Sequence, residues 1–289
     1  MRIKIHSKTF RLLALATVLL QTIVLPDTVS AQFFGRGEPK ASRSEDPIDT
    51  QLGEPEFVFA RGIYRNYPNF GGGFSGPGRG WWETDFDDSD INFLRGVKRY
   101  TRLDTNTKGY KAIDLTSPEL FEQTFLYINM KRIPIGAAGT GPDFSPEEAA
   151  ALREFMMRGG FVMLDDFWGP QHWQDFLIEL IKIFPDKELV KLDTSHPVFH
   201  SFFDIDEIAQ VPGRSVTWNY GGPFYLDDPD FPPSVHAILD DDGRIMMVAN
   251  FNTDLGDGWE HTFYEPYPTK YCNEAYKIGI NYIIYALSH

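Results

Sequence analysis

Three stretches of buried-strand character run straight into side chains from which chemistry is built. Phe57-Val58-Phe59-Ala60 leads to Arg61 and Tyr64. Phe161-Val162-Met163-Leu164 leads to Asp165, Asp166 and Trp168, with His172 one short turn further on. The stretch from Arg244 to Phe251 leads to Asn252, Asp254 and Asp257. Open α/β sheets bind ligands beyond the carboxyl ends of their parallel strands, near the point where the strand order reverses. If the three stretches are strands of one such sheet, these residues converge although they are far apart in sequence. Carboxylates meeting a histidine and an arginine can hold a divalent cation, exchange protons with a substrate, or grip a sugar with Trp168 as the stacking face. For a cation, the ligands these positions suggest are Asp165, Asp166 and Asp254.

Each side chain also has an ordinary structural role open to it. Asp165 and Asp166 could cap the helix that follows them, satisfying its free N–H groups and its positive end. Arg61 could be the buried partner of one of the aspartates. Asp254 to Glu260 could be a tight loop in which Asp-Gly supplies turn geometry. It is not a calcium loop of the EF-hand kind: Asn252 and Asp254 fit the first two ligand positions, but Gly256 stands at the third and Asp257 where glycine is required. Trp81, Trp82 and Tyr64 could line a carbohydrate groove, although filling a core is the commoner fate of aromatics. His196 and His200 have the spacing of a metal pair but lie on irregular chain, which points to turn or surface roles.

The elements that must position these residues are legible from pattern. Ser145-Pro146-Glu147-Glu148 combines an N-cap, proline at the first helical position and a capping-box glutamate, and predicts a helix to Arg158 that Gly159-Gly160 stops. Asp87, Asp88 and Ser89 offer N-caps to a helix with Ile91, Leu94 and Val97 on one face. Short strands are expected at Ala112–Leu115 and Phe125–Met130. A helix after Asp166 should bury Trp173, Phe176, Leu177, Leu180, Ile181 and Phe184 and close at Pro185. Strand-like stretches follow at Glu188–Leu192 and Val216–Trp218. Val235–Leu239 and Arg244–Phe251 flank Asp240-Asp241-Asp242-Gly243, a hairpin turn. A last helix, from about Glu274 to Leu287, should present Ile280, Ile283, Ile284 and Leu287 to the core. Strand alternating with helix makes the fold class α/β: a doubly wound, mostly parallel sheet with helices on both faces, a C-terminal hairpin and a closing helix.

The segments Phe59-Ala60-Arg61 with Tyr64, Trp82-Glu83-Thr84-Asp85, Gly159-Gly160-Phe161, Asp165-Asp166-Phe167-Trp168-Gly169 and Thr253-Asp254-Leu255-Gly256-Asp257-Gly258-Trp259-Glu260 resemble the bacterial family described as domain of unknown function 4159. The resemblance spans about residues 56 to 288. It implies a fold similar to class I glutamine amidotransferases, a flavodoxin-like sheet, and no agreed activity. Amidotransferase chemistry needs a cysteine on a sharp turn after a core strand, with a histidine to deprotonate it. Here Asp165-Asp166 occupies the natural strand end, and the single cysteine, Cys272, lies just before the last helix. A serine variant fails as well, because Gly73-Phe74-Ser75-Gly76-Pro77 lacks the final glycine of a nucleophile elbow and sits in a loop.

Composition bounds the compartment and the partners. Arg2, Lys4, Lys8 and Arg11 precede an apolar run from Leu12 to Leu25, and Val29-Ser30-Ala31 places small or modest residues before Gln32, so residues 1–31 are expected to be a signal peptide cleaved after Ala31. The run is shorter than the roughly 20 apolar residues a span needs. Residues 32–54 are expected to be a flexible leader and 55–289 a single domain, periplasmic or secreted. Losing residues 1–31 takes Lys+Arg from 27 to 23 and Asp+Glu from 41 to 40, so the net charge moves from −14 to −17. Such a surface repels nucleic acid and anionic lipid, leaving cations, small molecules or an envelope protein as partners. With one cysteine no disulfide can form within the chain, and 42% hydrophobic and 15% aromatic residues must supply the core. Three functions remain: a domain that binds a small molecule or partner through an acidic and aromatic cleft, a divalent-metal-dependent hydrolase of extracytoplasmic sugar or peptide material, and a structural partner in an envelope assembly.

Overall fold

Seven strands form one sheet in the order β2-β1-β3-β4-β7-β6-β5. They are β1 (Phe57–Ile63), β2 (Thr105–Asp114), β3 (Phe125–Asn129), β4 (Phe161–Phe167), β5 (Leu189–Lys191), β6 (Ser234–Leu239) and β7 (Ile245–Phe251). The computed structural model describes residues 55–64, 80–131, 141–214 and 232–289. The expected signal peptide and leader, the loop holding Ser75 and the stretch Val216–Trp218 lie outside the described residues. The five strands β2, β1, β3, β4 and β7 are parallel, and β5 and β6 extend the sheet as antiparallel strands. Reading β7 as the fifth parallel strand, this is the 2-1-3-4-5 order of doubly wound sheets, whose strand order reverses between β1 and β3.

Side chains alternate across the strands into two cores. On one face Phe57, Phe59, Phe125, Tyr127 and Phe161 pack under α1 (Asp88–Tyr100), α4 (Leu255–Glu260) and α5 (Thr269–Ser288). On the other, Ala60, Leu126, Ile128, Val162 and Leu164 pack under α2 (Pro146–Met157) and α3 (Gly169–Ile183). All seven residues of β4 and of β7 are buried, as fits strands covered on both faces. Among the described residues no helix is long and apolar enough to cross a membrane.

The helix predicted from Ser145 has both halves of its capping box. Ser145 Oγ accepts from the Glu148 N–H at 3.2 Å, and Glu148 Oε2 accepts from the Ser145 N–H at 2.7 Å. Ser145→Ala is expected to lower stability by about 1 kcal/mol, read as a shifted midpoint in chemical denaturation; an unchanged midpoint would mean that other contacts hold this helix end. The hairpin is also as expected, with Gly243 at φ 87° closing the turn between β6 and β7.

Several expectations are corrected. β2 starts at Thr105 rather than Ala112: its first half, Thr-Asn-Thr-Lys-Gly-Tyr-Lys, belongs to an edge strand and has no apolar run to reveal it. α3 turns Phe176, Leu180 and Ile183 inward, whereas Ile181 is 62% exposed, because a 3.6-residue period carries position 181 off the buried stripe. α5 begins at Thr269, and Leu287 in its last turn is exposed. At the start of α1 no side chain caps the helix. The expected strand end at Leu164 is instead a bulge: pairing with β7 slips between Leu164 and Phe167, and β4 continues through Asp165 and Asp166.

Candidate functional site

At the carboxyl ends of β3, β4 and β7, six acids gather. β4 contributes Asp165 and Asp166, the β7–α4 junction Asp254, α4 itself Asp257 and Glu260, and the segment before α1 Asp85. Oxygens of Asp85, Asp254 and Asp257 lie within 4.8 Å of one another. The set Asp165, Asp166 and Asp254 does not form so close a group among the described residues. Lys131, two residues past β3, brings its Nζ to 3.1 Å from Asp166 Oδ2.

Backbone conformation aims these side chains. Asp85, Asp166 and Asn252 have φ of 63°, 61° and 57°, and among the described residues no other non-glycine residue is left-handed. Asp and Asn bear that region better than most residues, and all three turn the chain at this end of the sheet. Glycines make room for the acids. A Cβ on Gly256 would stand 2.5 Å from Asp85 Oδ2, and one on Gly213 3.1 Å from Asp254 Oδ2.

Hydrogen bonds fix part of the group and leave part open. Asp165 Oδ2 accepts from the N–H groups of Leu255 and Gly256 at 2.8 and 3.0 Å and from the Tyr127 hydroxyl at 3.2 Å. Asp254 Oδ1 accepts from the Asp257 N–H at 2.8 Å and so caps α4. Asp257 Oδ2 accepts from the Arg214 N–H. Asp85 Oδ2 is shut off from solvent and has no hydrogen-bond donor among the described residues.

Burial first, and neighbouring charge second, shift the protonation of these acids. Burial, then the charge of Asp257, raises Asp85 well above the usual carboxylate range, and burial followed by Asp166, Asp257 and Asp85 does the same to Asp254. Burial and Asp166 push Asp165 up to about 8, and burial and Asp257 push Glu260 up to about 7. Burial opposes the ionised form of Asp257 too, but His261, Lys131 and the Arg214 N–H outweigh it and hold Asp257 below the ordinary range. Burial likewise opposes the Lys131 ammonium, and the charges of Asp166, Asp254, Asp85 and Asp257 override it.

The remaining residues singled out from sequence go elsewhere. Arg61 is fully buried, and its hydrogen bonds go to residues other than these acids: it donates to both Asp90 oxygens at 3.1 and 2.6 Å, to Ser89 Oγ at 2.8 Å and to the carbonyls of Trp82 and Thr84, while its guanidinium lies 4.6 Å over the Tyr127 ring. Its partner is Asp90, not an aspartate of β4 or β7. Asp165 and Asp166 do not cap α3. That end is held by His172, whose Nδ1 accepts from the Trp168 N–H at 3.1 Å, and by Asn252, whose Oδ1 accepts from the Gly169 N–H at 2.8 Å. The Trp168 indole donates to Asp166 Oδ1 at 2.9 Å, bracing the aspartate. Asp254 to Glu260 is a helix with its cap rather than a loop. Tyr64 and Trp81 are core residues, Tyr64 meeting Phe144 edge to face. His196 and His200 bond locally, to the Val198 N–H and to Asp204 and the Thr194 carbonyl, as turn residues do.

Sequence reasoning missed Asp85, Lys131, Glu260 and His261. Lys131 was within its reach, since the strand-end rule applies to β3 as it does to β4. Asp85 follows no strand, and only its place in Trp82-Glu83-Thr84-Asp85 marked it.

Against known families, a model for a domain of unknown function, DUF4159, matches residues 74–287. The chain belongs to the DUF4159 family. Every acid of the site lies inside the DUF4159 match, as does Lys131, whereas β1 with Arg61 and Tyr64 precedes it. A search of curated proteins finds no match.

Proposed function

We propose that this DUF4159 domain binds a divalent cation through Asp85, Asp254 and Asp257 and uses it in hydrolysis of sugar or peptide material outside the cytoplasm. One observation carries the reading: three carboxylates within 4.8 Å of one another, one of them with a buried oxygen that has no donor. Oxygen-only ligands suit Mg²⁺, Ca²⁺ or Mn²⁺. Three protein ligands would leave coordination positions for water and a substrate oxygen, and the ion would polarise that oxygen. Lys131, 3.1 Å from Asp166 with about 29% of its side chain exposed, is placed to meet an anionic group on the substrate.

The sheet order supports the wider relation to flavodoxin-like, class I glutamine amidotransferase-like folds. The chemistry of those enzymes does not carry over. Cys272 is buried within α5, and burial pushes its thiol up to about 11, so it is a packing residue and a poor nucleophile. A second reading, binding without turnover, draws on an open cavity of about 380 Å³ lined by Ile63, Tyr64, Asp114, Thr116 and Ser145.

Calorimetric titration of chelator-treated protein with Mg²⁺, Ca²⁺ and Mn²⁺ tests the cation site. Wild type should give binding heat that Asp254→Asn reduces at least tenfold in affinity. Asparagine caps a helix as well as aspartate does, so α4 should survive the change and a loss of heat would report the lost charge. Silence from all three ions in wild type would overturn the proposal.

A further inference from the structure

We propose that the acidic site is binuclear, with Asp257 bridging the cation of Asp85 and Asp254 to a second one held by Glu260 and His261. The inference rests on the cation reading above and extends it. Asp257, Glu260 and His261 form a second group whose ligand atoms all lie within 4.8 Å of one another, and Asp257 is the residue common to both groups. Its two oxygens face different ways. Oδ1 looks towards His261 Nε2 at 3.5 Å, while Oδ2 takes the Arg214 N–H and lies on the side of Gly213 that Asp254 Oδ2 also faces.

The second group is arranged as ligands of one ion would be. Positions 257, 260 and 261 share a helix face, being three and four residues apart. His261 Nε2 stands 3.2 Å from Glu260 Oε2 and 3.5 Å from Asp257 Oδ1. The longer contact exceeds a normal N–H···O bond. Ligand atoms about 2.1 Å from a shared ion at angles of about 90–109° stand about 3.0–3.4 Å apart, which is close to what these contacts show. His261 is 8% exposed, and Tyr264 and Tyr267 flank its ring at 5.7 and 5.5 Å, so the imidazole is already oriented. In the first group Asp85 Oδ2 is buried without a donor, so the bridge joins a site with an unpartnered carboxylate oxygen to one that offers a nitrogen ligand.

The ligand sets differ in kind. Three carboxylates favour a hard cation such as Mg²⁺, Ca²⁺ or Mn²⁺, and the imidazole of the second set admits Zn²⁺ or Mn²⁺. A carboxylate bridge sets two ions about 3.5–4 Å apart, the spacing at which a pair clamps both the attacking and the leaving oxygen in a hydrolysis. The competing account makes His261 an imidazolium tying Asp257 to Glu260 with no ion.

Equilibrium dialysis of the chelator-treated chain against Mn²⁺, and separately Zn²⁺, followed by elemental analysis, decides between them. Wild type is expected to hold two Mn²⁺ per chain, His261→Gln and Glu260→Gln one each, and Asp85→Asn one, with thermal melts confirming that each variant is folded. A single ion in wild type, unaffected by His261→Gln, would overturn the second site and leave the proposed function standing. No ion at all would overturn both. Two ions in wild type and in both the His261 and Glu260 variants would overturn the assignment of those ligands.

Discussion

Alanine in place of Arg61 is expected to lower stability by about 3–5 kcal/mol, the range for removing one partner of a buried ion pair. Both side chains of the Arg61–Asp90 pair are 0% exposed, so Asp90 would be left as a buried charge without its counterpart. Against a total of about 5–15 kcal/mol for an ordinary domain, that is a third or more of the reserve. The guanidinium also donates to the backbone carbonyls of Trp82 and Thr84, which ties the segment leading to Asp85 onto β1. Lysine cannot replace that fork of donors, so Arg61→Lys should recover little. Arg61→Met combined with Asp90→Leu should be more stable than Arg61→Ala alone, because no lone charge remains. Guanidinium denaturation measures all three, and a shift within error for Arg61→Ala would show that the pair contributes nothing.

Trp259→Ala is expected to cost a similar amount, about 3–5 kcal/mol, through the cavity it leaves. The indole is fully buried, stacks on Phe93 at 4.2 Å and meets Phe59 edge to face at 6.1 Å. It also anchors α4, which carries Asp257 and begins at the Asp254 cap. The loss should therefore reach the site: affinity for Mn²⁺ should fall along with the melting temperature, although Trp259 carries no ligand. Unchanged stability would mean that Gly258, packed so closely that a Cβ would come within 2.6 Å of the Ala275 Cβ, holds α4 on α5 without it.

How far the sequence could be read follows from how local each signal is. The capping box at Ser145, the hairpin turn at Asp240–Gly243 and the buried strands β4 and β7 are each written in a few adjacent residues, and each is found. The face of α3 is misjudged at Ile181 because an apolar side chain on a helix need not be inside. The convergence of β4 and β7 follows from the strand-end rule and needs no contact to be known. Which acids approach closely does not follow, since it depends on left-handed turns at Asp85 and Asp166 and on gaps left at Gly213 and Gly256. Arg61 shows the same limit: sequence places it at a strand end among acids, but its partner lies on α1, 29 residues away.

The position of β7 at the heart of the sheet bears on how the chain reaches this state. β4 pairs with β7, yet α3, β5 and β6 all intervene in the chain, so Val162 finds Met247 only after some eighty residues of loop closure. Pairings of such range slow folding. Until they form, β4 offers an open edge of Val162, Met163 and Leu164, an apolar template to which a second chain can add. Refolding should therefore lose yield steeply as protein concentration rises, and truncation anywhere before residue 251 should leave an aggregating fragment rather than a smaller domain.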